Sequence, residues 1–335
     1  MTPTEQMEQI VRLEQIFMPY SQQQRCEAYK RQTGSDPKPG AIIRFAHYTS
    51  ATAALSIINE KRLWMRNTNC MSDYSEVQHG FDMLHEFFLL KNPGWHNLSA
   101  ALDNCAPGIA DEAVNLFNGW FDDIRLNTYL TSVSEHNKTE DSHGRLSMWR
   151  AFGGNAARVA LVFKIYYFSE AAAPLRVMFS PVSYLPKERV HEELRKIAEN
   201  ISAQLEYLQS IERPALLRMM FQMLVAGVVC AKHEGFHEEQ EWRIIYSPNR
   251  GKSTLIKSEI KVISGVPQLV HLLPLDISVS SEIADVDFTN AFDRLIIGPS
   301  PYPWPMREAF SEALSNAGVT DAKDKVFVSE IPIRP

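Results

Sequence analysis

Apolar and polar positions along this chain recur with two different periods, and each change of period marks an element. Residues 4–32 show helical spacing, with Ile10, Leu13, Ile16 and Phe17 on one face; the Gly and Pro of "TGSDPKPGA" then mark a linker. This predicts a helical N-terminal extension over residues 1–40 and one α+β domain over 41–335. "AIIRFAHYTS" reads as a strand, with Ser50 as N-cap of an amphipathic helix that carries Ala54, Leu55, Ile58 and Leu63. Residues 75–120 read as mostly helical and include Trp95 and Trp120.

The period then shortens. "NTYLTSVSE" (127–135) alternates and is expected to be a strand; "RVALVFKI" (158–165) has the unbroken apolar run of a buried one, and "LRVMFSPVSYL" (175–185) reads as a third. A helical block over about 187–232, broken at Pro214, forms a large insertion. "EWRIIYS" and "FDRLIIG" return to strand, followed by a helix over 306–317 and a last strand in "KVFVSEIPI". Strands separated by helical blocks of unequal length point to α+β, not to a doubly wound sheet.

Composition narrows the classes of function. The 335 residues suffice for a large core, and 45% hydrophobic with 22% charged residues is ordinary for a globular chain. A net charge of −6 supplies no global basic field for nucleic acid or anionic membrane. Cys26, Cys70, Cys105 and Cys230 form no C-x-x-C pair, no signal peptide is evident, and the longest apolar run, 223–231, is too short to span a bilayer. The expectation is a reduced, cytoplasmic protein.

One stretch, "AKHEGFHEEQEWRIIYS" (231–247), holds two overlapping motifs. His233, Glu234 and His237 fit H-E-x-x-H, in which two histidines on one helix face share a zinc ion and the glutamate activates its water. Gly235 in mid-motif weakens a helix there by about 1 kcal/mol, the following residues turn β-like, and nothing marks a third ligand, Glu259 included. The expectation is an accidental match, with a zinc hydrolase as the minor alternative.

The other motif, Glu239-Gln240-Glu241-Trp242-Arg243, belongs with two further stretches: His47-Tyr48-Thr49-Ser50 at a strand end, and Thr131, Ser132, Ser134 and Glu135 on another strand. Ser132 and Ser134 alternate with Val133, so both face one side. A histidine, a serine-bearing strand and an E-x-E glutamate resemble the three marks of the ADP-ribosyltransferase-like fold. Breaking the nicotinamide–ribose bond of NAD passes through an oxocarbenium-like species that a carboxylate stabilises. The resemblance implies Glu241 as catalytic carboxylate and Glu239 as the group that orients the acceptor. His47, Tyr48, Thr49, Ser132, Ser134, Trp149 and Arg243 would line the NAD cleft, with Tyr48 or Trp149 stacking on nicotinamide.

The order of motifs resembles a bacterial family known as domain of unknown function 2971. HYTS stands at 47–50, "MSDYSE" at 71–76 with Ser72 in place of Asn, "VSE" at 133–135, and "MWRAFG" at 148–153 with Phe152 in place of Tyr. "LVFKI" follows at 161–165, then Lys232, Phe236 in place of Trp, Glu239, Glu241 and Arg243, and finally "IIGP" at 296–299. The ADP-ribosyltransferase-like resemblance implies a split β-sheet core and NAD as substrate, with a protein or nucleic-acid acceptor or plain NAD hydrolysis. It also implies a role as bacterial toxin or phage-defence effector, with an antitoxin or neighbouring-gene partner. A non-catalytic nucleotide- or protein-binding module of the same fold is the competing expectation. Asp73 and Glu76 read as a helix capping box, and Arg44 as a pyrophosphate contact.

Overall fold

The structure, a computed structural model, describes residues 3–38, 40–71, 80–84, 93–151, 157–166, 169, 171–263 and 265–332. Asp73, Glu76 and Phe152 lie outside the described residues. Among the described residues the helices include α1 (Pro3–Phe17), α2 (Pro19–Thr33), α3 (Ala51–Glu60), α4 (Pro93–Cys105), α5 (Ile109–Leu126), α6 (Leu146–Ala151), α7 (Lys187–Ala203), α8 (Leu205–Gln209), α9 (Arg213–Val229) and α10 (Pro303–Asn316), with single turns at Ala172–Leu175 and Phe288–Ala291. The strands are β1 (Ile42–Ser50), β2 (Arg62–Asn67), β3 (Tyr129–Glu135), β4 (Arg158–Tyr166), β5 (Val177–Pro181), β6 (Glu241–Tyr246), β7 (Lys257–Ile263), β8 (Val266–Pro274), β9 (Phe292–Ile297) and β10 (Val326–Val328). No helix among the described residues is long and apolar enough to cross a membrane.

By contacts the chain gathers into two compact units. One takes residues up to Arg25, Thr68–Asn127 and Ser180–His237; the other takes Cys26–Asn67, Thr128–Phe179 and everything from Glu238 onward. The first is helical. Pro19, which has no N–H to offer, closes α1 and opens α2, so the expected extension is two helices. Leu13, Ile16 and Phe17 of α1 are buried as their spacing predicts, but Ile10 is exposed. Leu194, Ile197, Ala198 and Ile201 form the buried stripe of α7. The break in the insertion falls at residues 210–212, and Pro214 instead serves in the first turn of α9. Buried Leu216, Met219, Met220, Met223, Leu224, Val225 and Val228 surround α9 on most sides, which makes it the unit's central helix.

The second unit is an α+β body around a mostly antiparallel ten-stranded open sheet, ordered β10-β9-β4-β1-β3-β2-β8-β7, with β6 also on β3 and β5 on β6. β9 and β10 pair in parallel. Ser50 caps α3, its side chain accepting from the Ala53 N–H at 3.2 Å, as the sequence predicts. Leu63 does not continue α3: the helix stops at Lys61, which takes the left-handed conformation, and Leu63 is buried in β2. Residues 26–33, assigned to the extension on sequence grounds, pack in this unit, because Ala28 and Tyr29 share a core cluster with Ile43, Phe45, Val133 and Trp242.

Antiparallel partners carry their side chains on one face, so the register divides the sheet. One face bears Met65, Tyr129, Leu161, Ile244, Tyr246 and Leu273, packed with Ile57 and Ile58 of α3 and Phe310 and Leu314 of α10. The other bears Ala46, Tyr48, Ala160 and Val162 with Met148 and Trp149 of α6, and it also carries the polar residues considered next.

Candidate functional site

β3 is where the sheet divides. Along one edge β6 pairs it from Tyr129 to Ser134. The opposite edge is shared: β1 takes Ser134 and Glu135 through Ala46 and Phe45, while β2 takes Tyr129 and Leu130 through Asn67 and Arg66. Between these strands the Ser132 backbone meets no strand on that edge, and the His47 ring fills the fork with Nδ1 2.9 Å from the Ser132 carbonyl oxygen. A carbonyl only accepts, so the neutral ring carries its proton on Nδ1. Burial pushes the His47 pKa below its ordinary value, partly offset by the bond to Ser132.

The register places Ser132 opposite Arg243 and Ser134 opposite Glu241, so all four share the face that carries Tyr48. Ser132 Oγ donates to Glu241 Oε1 at 2.5 Å, and the same oxygen accepts from Arg243 Nε at 2.8 Å. Arg243 Nη2 reaches Glu241 Oε2 at 3.3 Å. Glu241 and Arg243 are both buried, so the pair forms away from water, where the attraction is strong and desolvation costly. The expected side for Ser132 and Ser134, opposite core-facing Val133, is the one observed; Ser134 Oγ sits 3.8 Å from Met148 Sδ. His47 and Thr49 belong to the other face, and His47 touches the cluster through the Ser132 backbone.

Glu239 and Glu241 do not stand two apart on one strand. Glu239 ends a 3-10 turn, Glu234–Glu239, and Gln240 then has φ +45°, a left-handed conformation that costs a non-glycine residue about 1–2 kcal/mol. Arg145 accounts for its persistence. Its guanidinium donates to the carbonyls of Glu135, Glu238 and Glu239 at 2.6–3.0 Å, to Gln240 Oε1 at 2.9 Å and to the Glu140 carboxylate at 2.7 Å. Arg145 is the residue that sequence reasoning missed. Its partners are mostly backbone carbonyls, which leave no motif, and only its place just before "MW" hinted at it. Glu135 of "VSE" is a framework group, held by Arg31 at 2.9 Å and by Trp242 Nε1 at 3.1 Å.

The two aromatic rings expected to stack on a ligand are packed in the core instead. Tyr48 and Trp149 are buried, with ring centroids 4.8 Å apart in edge-on contact. The Tyr48 hydroxyl accepts from the Arg145 backbone N–H, and burial raises its pKa far above the ordinary phenol value. Trp149 Nε1 donates to the His143 carbonyl at 2.8 Å. Its ring is held by two glycines: a Cβ on Gly144 would lie 2.6 Å from Cζ2, and one on Gly298 2.9 Å from Cε3. That gives the glycine of "IIGP" a physical reason. Arg44, offered as a pyrophosphate contact, is bonded to Asp141 at 2.8 Å and Asp293 at 3.2 Å.

His233 and His237 lie outside any α-helix, because α9 ends at Val229. Around a 3-10 turn of three residues, positions i and i+4 diverge instead of sharing a face. His233 Nδ1 accepts from the Gly235 N–H at 3.1 Å, and His237 Nδ1 lies 3.1 Å from the Glu234 carbonyl. Both rings thus serve the local turn.

The chain is therefore an α+β protein with a Ser–Glu–Arg cluster, its Glu and Arg buried, at the division of its sheet. Residues 148–244, from the "MW" of α6 to the middle of β6, match the model of a family described as "Protein of unknown function (DUF2971)". That span includes Glu239, Glu241 and Arg243 and agrees with the resemblance read from the motifs. No curated protein matches the chain, and no solved structure does.

Proposed function

We propose that the chain is an ADP-ribosyltransferase-like enzyme that takes NAD as substrate, with Glu241 as its catalytic carboxylate. One observation carries the reading: Glu241 and Ser132, drawn from two separate motifs, meet hydroxyl to carboxylate at 2.5 Å where the sheet splits. In this role Ser132 and Arg243 fix the direction of the carboxylate, which accepts a bond from the ribose 2′-OH. Its negative charge then stabilises the oxocarbenium that develops as nicotinamide leaves. Glu239, half-exposed at the entry to β6, orients the acceptor, a macromolecule or water. Tyr48 and Trp149 support the wall of the site from beneath.

A second reading, a non-catalytic nucleotide- or protein-binding module, is favoured by two specific features. Both carboxylate oxygens of Glu241 are already bonded to Arg243, and His47 belongs to the opposite face of the sheet. The test is NAD turnover by the full chain, by S132A and by E241Q, each incubated with labelled NAD and a lysate containing protein and RNA. Circular dichroism confirms that each variant is folded. Free nicotinamide or transferred label, lost in E241Q and reduced in S132A, supports the enzyme. No turnover by the full chain, together with no NAD binding by calorimetry, rejects it. NAD binding without turnover selects the module.

A further inference from the structure

The sheet ends in an apolar overhang. β7 and β8 form a hairpin at one end of the strand order, and β7 is the last strand. Register puts Ile260 opposite Leu269 and Val262 opposite Pro267, on the same face as Leu273, which lies in the main core. Beyond the covering helices that face meets water: Ile260 is 75% exposed, Val262 68% and Leu269 46%. Single exposed apolar residues are ordinary, but a contiguous set on the core-facing side of a sheet marks a contact surface. Among the described residues the outer edge of β7 pairs with no strand, so its row of N–H and C=O groups is a template for another one.

The sequence of the edge says which strand fits. We infer that β7 joins two copies of this chain, antiparallel and edge to edge, about a two-fold axis at Ile260. Such a contact is isologous, so the strand must complement itself. Keeping the apolar faces on the same side restricts the axis to a residue position. An axis at Glu259 sets that residue against itself and Lys257 against Lys261, while an axis at Lys261 sets that residue against itself. An axis at Ile260 overlaps all of Lys257–Ile263, pairs Ile260 with Ile260, and sets Glu259 opposite Lys261 twice. Within one chain Lys261 Nζ already lies 2.9 Å from Glu259, so pairing would convert two internal ion pairs into a four-charge row. Charged residues usually guard an edge strand against pairing; here their order invites one partner.

The test is the mass of the full chain in solution by sedimentation equilibrium over a dilution series. The expected result is a monomer–dimer equilibrium at twice the chain mass. E259K and K261E, each confirmed as folded by circular dichroism, place like charges opposite one another twice, and each should weaken the dimer roughly tenfold or more. Mixed together, the two variants should form a heterodimer, and the double variant E259K/K261E should regain self-association. A chain that remains monomeric at every concentration overturns the proposal, as does a dimer indifferent to E259K. A mixture of the single variants that does not associate also overturns it.

Discussion

Ser132 and Glu241 are 109 residues apart in sequence, and the hydroxyl of one lies 2.5 Å from the carboxylate of the other, with Arg243 closing the cluster. Its energetics follow from burial. Arg243→Ala removes the cation bonded to both oxygens of a buried carboxylate and should cost about 3–5 kcal/mol. Ser132→Ala removes one hydrogen bond to a charged group and should cost about 1–3 kcal/mol. Because both act on one oxygen, the double variant should cost less than the sum. Urea unfolding of the four proteins measures the coupling, and strict additivity would show that the two groups act independently.

Arg145 holds the Glu238 and Glu239 carbonyls and the Gln240 side chain, acceptors that fan out from one planar guanidinium. An ammonium group has no such fork. Arg145→Lys should therefore lose most of the stabilisation that Arg145→Ala loses, on the order of 2–4 kcal/mol. The specific readout is amide hydrogen exchange at residues 239–241, which should quicken in both variants ahead of exchange in the core of β3.

Trp149 reports on its own packing. Gly298→Ala brings a methyl group to 2.9 Å from the indole, so either the ring or β9 must shift, at a cost of about 1–3 kcal/mol. Gly144→Ala adds the strain of φ +69° to a 2.6 Å contact and should cost more. The expected signature is a shifted Trp emission and a lower urea midpoint, larger for Gly144→Ala.

Several histidines resist protonation in the fold. Burial lowers the pKa of His47, His136 and His271 from 6.5, so as pH falls below that value the unfolded chain takes up protons that the folded chain refuses. Stability should hold above pH 6.5 and decline on the acid side, before carboxylates begin to titrate. Urea midpoints on either side of pH 6.5 should show the decline, and His47→Gln should flatten it. A stability that rises as the solution is acidified through this window would contradict the assignment.

The sequence was a good guide where local periodicity decides. β3, β4, β6 and β9 follow from alternation or an apolar run, and the side on which Ser132 and Ser134 fall follows from counting by twos. β2 was missed because Lys61 ends α3 in a left-handed conformation that glycine usually marks; without that signal Leu63 read as helix. Lys61→Gly should accordingly stabilise the chain by about 0.5–1 kcal/mol in thermal unfolding, since the native backbone already suits glycine. β7 hid because its charges resemble a solvated loop. The fork at β3 and the carbonyl clamp of Arg145 depend on which strands become neighbours, and no local pattern encodes that. Tyr48 was legible as an aromatic residue near the site but not as part of its foundation.

The placement of β3 between β1, β2 and β6 also has a consequence in time. When a ribosome has just released Ser132, the strand that will bring Glu241 lies 109 residues in the future. At about 5–20 residues per second, that leaves the β6 edge of β3 bare for roughly 5 to 20 s. The nascent chain must therefore carry an open strand, with its future carboxylate partner not yet made, through the synthesis of β4 and the long helices α7 and α9. A translation product that stops before Glu241 would hold one of the cluster's three residues and a sticky edge, making it a substrate for chaperones and proteases rather than a smaller working protein.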